Sequence, residues 1–238
     1  YILVESNAHP GKVNRLFSAG AKLSSVQFEE ASSGLKGQVL LAKMPFWSEV
    51  TPSAYLDKEE AKKYFQLDPF RFTLLIFGGS QGAAVLNKAG ALLEKDLQVL
   101  HFCGKSHDPS ELDAQYKKQG ILASVKTFEE KMHVAWRAAD LALCRSGAGT
   151  LNELIEFSVP AVLVPWPGSS ENHQHKNAKA LESRGGALLL EQSAIDTLPK
   201  VLESAREKLS TMRSCLEKVK QSRAIELHEL IHHQLEGK

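Results

Sequence analysis

From Arg71 to Leu190 short apolar runs alternate with helix-spaced segments without a break, and that alternation leaves few folds open. Phe72 to Phe77, Val99 to Phe102, Ser124 to Lys126, Leu141 to Cys144, Ala161 to Val164 and Ala187 to Leu190 read as strands. Helical spacing fills the gaps, through Leu86 to Leu93, near Ser110 to Lys118, over Met132 to Ala139, over 150 to 157 and near Gln174 to Arg184. Strands that alternate with helices pair in parallel, so the expected fold is α/β, a Rossmann-like parallel sheet with helices on both faces. Ligands of such sheets bind beyond the carboxyl ends of the strands.

The flanks are less regular. Residues 1 to 46 offer strands at Tyr1 to Glu5, Val26 to Phe28 and Gln38 to Leu41, with one helix from Lys12 to about Ala19. That is too little for a domain, and we read it as part of a second, N-terminal Rossmann-like unit. Thr51-Pro52-Ser53 breaks the pattern, and a charged helix from Lys58 to Phe65 leads into the main domain, taken as 47 to 200. From 201 to 238 the spacing of Leu202, Ala205, Leu209, Met212, Leu216 and Val219 predicts an amphipathic helix with one apolar stripe. Such a stripe packs on the domain or pairs with a partner helix. The opening at Tyr1, directly before strand-like residues, leads us to expect a piece of a longer protein.

Composition excludes several classes. A net charge of +1 speaks against a dedicated nucleic-acid surface. Three scattered cysteines support neither a disulfide framework nor a zinc site and favour a reducing, cytoplasmic compartment. The longest apolar runs fall far short of the roughly 20 residues that a spanning helix needs.

The chemistry concentrates in three loops at one edge of the predicted sheet. After Cys144 the chain passes through Arg145-Ser146-Gly147-Ala148-Gly149 and re-emerges as a helix. The first helical N–H groups have no partner within the helix, and the macrodipole adds roughly half a positive charge there, which suits a phosphate. Glu153, about one turn further, is placed to accept from two sugar hydroxyls, so the pair suggests a nucleotide. An ordinary loop capped by Thr150 fits the same residues. Gly78-Gly79-Ser80-Gln81-Gly82 also joins strand to helix, with neither the Walker lysine nor the dinucleotide spacing. Two such loops on one edge can hold a diphosphate or a sugar nucleotide between them. In the third loop, Gln174 and Asn177 are three apart, so a helix turns both amides to one side, fit to read sugar hydroxyls or simply to begin a helix. His173 and His175, two apart, diverge and lack the carboxylates of a metal site. His9-Pro10-Gly11 reads as a turn, and His228, His232 and His233 as solvated. No Ser/His/Asp order, paired carboxylates or Asp-x-Asp motif is present, so no cofactor is expected. A transferase built this way would stabilise a diphosphate with helix ends and hydroxyls, without a metal.

Phe77-Gly78-Gly79-Ser80-Gln81-Gly82-Ala83 with Leu86-Asn87, Ala139-Asp140 through Cys144-Arg145-Ser146-Gly147-Ala148 to Glu153, Pro160 through Pro165, and Asn172-His173-Gln174 with Asn177-Ala178 resemble the MurG family of bacterial N-acetylglucosaminyltransferases. Val4-Glu5-Ser6-Asn7, Pro10-Gly11 and Asn14-Arg15 are similar to the end of that family's N-terminal domain. The resemblance implies a GT-B fold whose C-terminal domain binds UDP-N-acetylglucosamine. It implies that residues 1 to 46 are a remnant of the acceptor domain. It places Ser80 on the diphosphate, the backbone at Glu129 on the uracil, and Ala148, Gly149, Thr150, Leu151 and Asn152 at the helix terminus. Glu153 takes the ribose, Gln174 and Asn177 read the N-acetylglucosamine, and Asn7 reaches in from the other domain. It further implies an inverting transfer to undecaprenyl-linked N-acetylmuramoyl-pentapeptide in peptidoglycan synthesis, by a peripheral protein on the cytoplasmic face of the inner membrane.

Two departures stand out. The family's N-terminal glycine-rich loop with its histidine, the expected base region, has no counterpart in this chain, and Trp47 stands where the family has an arginine. Two other readings share the donor site: the donor-binding half of a split N-acetylglucosaminyltransferase, and a nucleotide-sugar binding module without catalysis.

Overall fold

In a computed structural model the described residues are 1–45, 56–223 and 225–236. Trp47 and the break at 51–53 lie outside them.

The described residues build two parallel sheets. The smaller comprises β1 (Ile2–Glu5), β2 (Leu23–Val26) and β3 (Val39–Leu41) in that order, with α1 (Lys12–Phe17) between the first two. Here the expectation of a strand at Val26 to Phe28 is corrected. β2 begins three residues earlier, pairing Ile2 with Leu23 and Glu5 with Val26, and Gln27 and Phe28 lie beyond its end. Every side chain of β2 is buried, serines included.

α2 (Lys58–Tyr64), secured by a reciprocal capping box of Asp57 and Glu60, leads to the larger sheet. Its strands are β4 (Thr73–Phe77), β5 (Gln98–Phe102), β6 (Ala123–Lys126), β7 (Leu141–Cys144), β8 (Ala161–Leu163) and β9 (Ala187–Leu189). Their spatial order is β6-β5-β4-β7-β8-β9, all pairs parallel. The chain therefore works outward from β4 to β6, then returns to the other side of β4 with β7. That reversal opens a crevice beyond the carboxyl ends of β4 and β7. Both central strands are buried on both faces, which explains their unbroken apolar runs.

One core lies on each face. Leu74 and Ile76 of β4 pack with α3 (Ala84–Ala89), α4 (Pro109–Gln119) and α8 (Leu198–Glu207). Leu75 and Phe77 point the other way, into a core with α2, α5 (Met132–Ala138), α6 (Ala148–Phe157), α7 (His173–Ser183) and α9 (Leu209–Ser222).

The single-stripe helix expected over the tail is therefore two helices serving two faces. The helix breaks at Lys208; Leu202 and Ala205 join one core, while Leu216 and Val219 join the other. The chain then returns to the small sheet. Lys43 N–H donates to Ile225 O at 2.8 Å, and α10 (Leu227–Glu236) sets Leu230 against Leu23 and Ala42. Among the described residues no helix is long and apolar enough to cross a membrane.

Candidate functional site

At the end of β4 the chain turns through Gly78 to Ala83 before entering α3. Gly82 (φ +80°) and Gly104 (φ +91°) let this loop touch the loop after β5 backbone to backbone. A Cβ on Gly82 would lie 2.0 Å from Cys103 O, and one on Gly104 2.1 Å from Gly82 N. Lys105 N–H donates to Ser80 O at 3.0 Å, completing the seam, and the Ser80 side chain stands exposed above it. Gly82→Ala is accordingly expected to cost about 1–3 kcal/mol from the backbone conformation alone, and more for displacing the Cys103 carbonyl. Gly79→Ala, with positive φ but open space around it, would show only the strain. Thermal unfolding of the two variants distinguishes them.

Across the crevice, Gly147 is extended (φ −66°, ψ 151°) and delivers the chain into α6. Leu151 N–H already donates to Gly147 O at 3.0 Å, so the unsatisfied first-turn donors are those of Ala148, Gly149 and Thr150. The Leu151 side chain is core. Asn152 is buried, its amide donating to Met44 O at 2.9 Å and accepting from Arg223 Nη1 at 3.2 Å.

Glu153 lies one turn in, where it is partly enclosed. The indole N–H of buried Trp136 donates to Glu153 Oε2 at 2.7 Å, and Trp136 packs edge-on against Phe77. Burial raises the Glu153 pKa and the indole bond pulls it back only in part. Trp136 was not singled out in the sequence, because its partner is 17 residues away on another helix.

The start of α7 closes the third side. Ser146, fully buried, donates to Gln174 O at 2.8 Å, and Gln174 Oε1 accepts from Trp166 N–H at 2.9 Å. The side-chain amide of Gln174 is thereby oriented with its nitrogen left for a ligand acceptor. Asn177 follows one turn later. It is fully buried, and it accepts from Ala8 N–H at 2.8 Å and donates to Asn7 Oδ1 at 3.0 Å and Ser146 O at 3.1 Å. These bonds tie the two sheets together through Asn177 and leave one lone pair of its Oδ1 for a further contact. Asn7 is the other half of that joint, clamped by Glu5 Oε1 through its own N–H and amide at 2.9 and 3.1 Å. Arg15 with Glu171 and Arg184 with Glu30 add ion pairs across the same junction.

Glu129 lies in the loop after β6, at the same edge. Its carboxylate is buried and accepts from Lys126 Nζ at 2.8 Å and Lys131 N–H at 3.0 Å. Burial acts to raise its pKa, but these two partners prevail and the pKa is lowered. The side chain thus braces the loop. His175 pairs with Glu191 and His173 with Ser170 O, and no His, Cys, Asp or Glu cluster with metal-binding geometry occurs among the described residues.

A parallel sheet with two backbone-lined loops at its switch point, a carboxylate one helical turn away and a second parallel sheet docked across the crevice define the GT-B glycosyltransferase architecture. Residues 73–235 match the glycosyltransferase family 28 C-terminal domain. The chain belongs to that family. The UDP-N-acetylglucosamine–N-acetylmuramyl-(pentapeptide) pyrophosphoryl-undecaprenol N-acetylglucosamine transferase of Protochlamydia amoebophila is 38% identical over 200 residues, which are 81% of this chain and 53% of that protein. The transferase of the same name from Aquifex aeolicus is 35% identical over 241 residues, 98% of this chain and 67% of its own length. Among solved structures, Acinetobacter baumannii MurG superposes with a TM-score of 0.72 at 28% identity, covering 92% of this chain and 61% of that one. The chain thus spans about half to two thirds of the length of these relatives.

Proposed function

We propose that this chain is the donor-binding part of an inverting transferase that moves N-acetylglucosamine from UDP-N-acetylglucosamine to undecaprenyl-linked N-acetylmuramoyl-pentapeptide. The observation that carries the reading is Glu153, oriented by Trp136 and one turn from the free N–H groups of Ala148, Gly149 and Thr150. Those donors and the exposed Ser80 hydroxyl take the diphosphate, and Glu153 Oε1 with the open side of Oε2 takes the ribose hydroxyls. The backbone around Glu129 meets the uracil, and the Gln174 amide nitrogen reads the hexosamine. Asn7 and Asn177 set the distance between the acceptor-side unit, residues 1–45, and the donor-side unit.

In the reaction the acceptor hydroxyl gives its proton to a general base and attacks the anomeric carbon from the face opposite UDP, while the bond from that carbon to the diphosphate oxygen breaks and the departing diphosphate gains charge. Helix-end N–H groups aimed at it stabilise that charge in place of a cation. The lipid acceptor brings the protein to the membrane surface, as a peripheral protein on the cytoplasmic face.

Calorimetric titration with UDP-N-acetylglucosamine, UDP-glucose and ADP-glucose in EDTA tests the reading. Selective, EDTA-insensitive binding of the first is expected. Equal affinity for the adenine nucleotide, or binding abolished by EDTA, contradicts it.

A further inference from the structure

Beneath the seam of the two glycine loops lies a chain of polar side chains that the site above does not use. Asn87 of α3, His101 of β5 and Tyr116 of α4 are 6%, 0% and 0% exposed, beside a core otherwise built of buried Leu, Ile, Val and Ala with Cys103. Burying three polar groups is costly unless each is paired, and apolar residues of like volume would fill the space without that demand. Here every one is paired. Asn87 Nδ2 donates to Cys103 O at 3.1 Å, so its Oδ1 faces His101 Nε2 as acceptor, at 3.1 Å. His101 Nε2 must carry the proton, and Nδ1 accepts from the Tyr116 hydroxyl at 2.8 Å. The hydrogen bonds therefore run one way, from Tyr116 through His101 and Asn87 to the Cys103 carbonyl.

The end point matters. Cys103 O is the atom that a Cβ on Gly82 would meet at 2.0 Å, so the chain terminates on the contact that shapes the Gly78 to Ala83 loop. The other end is seated as closely: a Cβ on Gly90, just past α3, would lie 2.5 Å from the Tyr116 hydroxyl. α3 is thus registered against β5 through Asn87 and against α4 through Gly90, and with it the loop that precedes it.

We propose that Asn87, His101 and Tyr116 are positioning residues for the donor diphosphate, fixing the Ser80 to Gly82 backbone before a ligand arrives. The inference rests on the donor-site reading. Its advantage is preorganisation: a loop already held in its bound shape loses less entropy on binding and keeps its N–H groups aimed at the charge. The benefit falls on the phosphates alone, because the nucleoside is held by α6 and the β6 loop.

The test compares ligands with and without phosphate on the whole chain. UDP is titrated calorimetrically and uridine by saturation-transfer NMR, with Asn87→Leu, which removes both amide bonds at similar volume, and Tyr116→Phe, which removes one hydroxyl. Asn87→Leu is expected to weaken UDP about tenfold and Tyr116→Phe about threefold, with uridine changed by less than about twofold in both. Should Asn87→Leu fail to fold, Tyr116→Phe carries the comparison. Unchanged UDP affinity in the folded variants, or an equal loss for uridine, overturns the proposal. Failure of the unaltered chain to bind UDP at all instead removes the donor reading, and this one with it, before any variant is made.

Discussion

Glu153→Gln is expected to weaken UDP-N-acetylglucosamine binding by about tenfold to a hundredfold while leaving the folded chain at least as stable. The two effects separate because they rest on different features of one carboxylate. For binding, the ionised group offers charge-assisted acceptance to two ribose hydroxyls, which a glutamine cannot match with one oxygen and one NH2. For folding, burial raises the pKa of Glu153 above its unfolded value. A raised carboxylate is unfavourable to the folded state when ionised. Stability therefore rises as pH falls through the raised pKa, and near neutrality the charge is a burden that glutamine lifts. Glutamine still accepts from Trp136 Nε1, whereas Glu153→Ala leaves that buried N–H without a partner and costs stability as well. Donor affinity of the unaltered chain should also decline on acidification sooner than an exposed carboxylate would allow. Calorimetric titration across pH, paired with thermal unfolding of both variants, reads all three effects. A glutamine variant that binds like the original chain would remove Glu153 from the ribose.

Much of this arrangement is legible in the sequence, for local reasons. Strands such as Leu141–Cys144 announce themselves because burial on both faces demands unbroken apolar residues, and the turn and helix after them are adjacent in sequence. β2 escaped because Ser24 and Ser25 break the apolar run although both are buried. The break at Lys208 escaped because no glycine or proline marks it, and the apolar period continues across it while the chain crosses to the other face. In the site, the helix end and glycine loops are readable as short-range patterns. The structural bonds of Asn177 and Asn152 are not, because their partners are remote, Asn7 170 residues away and Met44 108 residues away. A polar side chain at a helix start can serve a ligand or a junction, and only the tertiary fold decides which.

The largest stability effect is expected far from that edge, at Asp140. Asp140 stands at the foot of β7 and binds three groups: its Oδ2 accepts from Thr73 N–H at 2.9 Å and from Lys62 Nζ at 3.0 Å, and its Oδ1 from Lys58 Nζ. It thereby fastens α2 to the first residue of β4. Lys62 is buried, and its ammonium also donates to Arg71 O at 2.7 Å. Asp140→Ala leaves that buried ammonium without its counter-charge and the Thr73 N–H without its acceptor, so a loss of about 3–5 kcal/mol is expected, a large part of the roughly 5–15 kcal/mol that a domain possesses. Burial acts to raise the Asp140 pKa, but the bonds from Lys58, Thr73 and Lys62 prevail and lower it. Its contribution is thus complete above the unfolded carboxylate pKa, near about 4, and is lost as pH falls through the lower folded value; the alanine variant should lack that acid slope. Lys58 tells the opposite story, its own pKa lowered by burial that the Asp140 bond only partly offsets. The disagreement resolves by exposure: the Lys58 side chain is 39% accessible against 4% for Lys62, so the stabilising pair is Lys62 with Asp140. Lys58→Ala should then cost less than about 1 kcal/mol. Urea unfolding of the two variants at pH 7 and pH 4 measures both differences, and equal losses would place the energy in Lys58 instead.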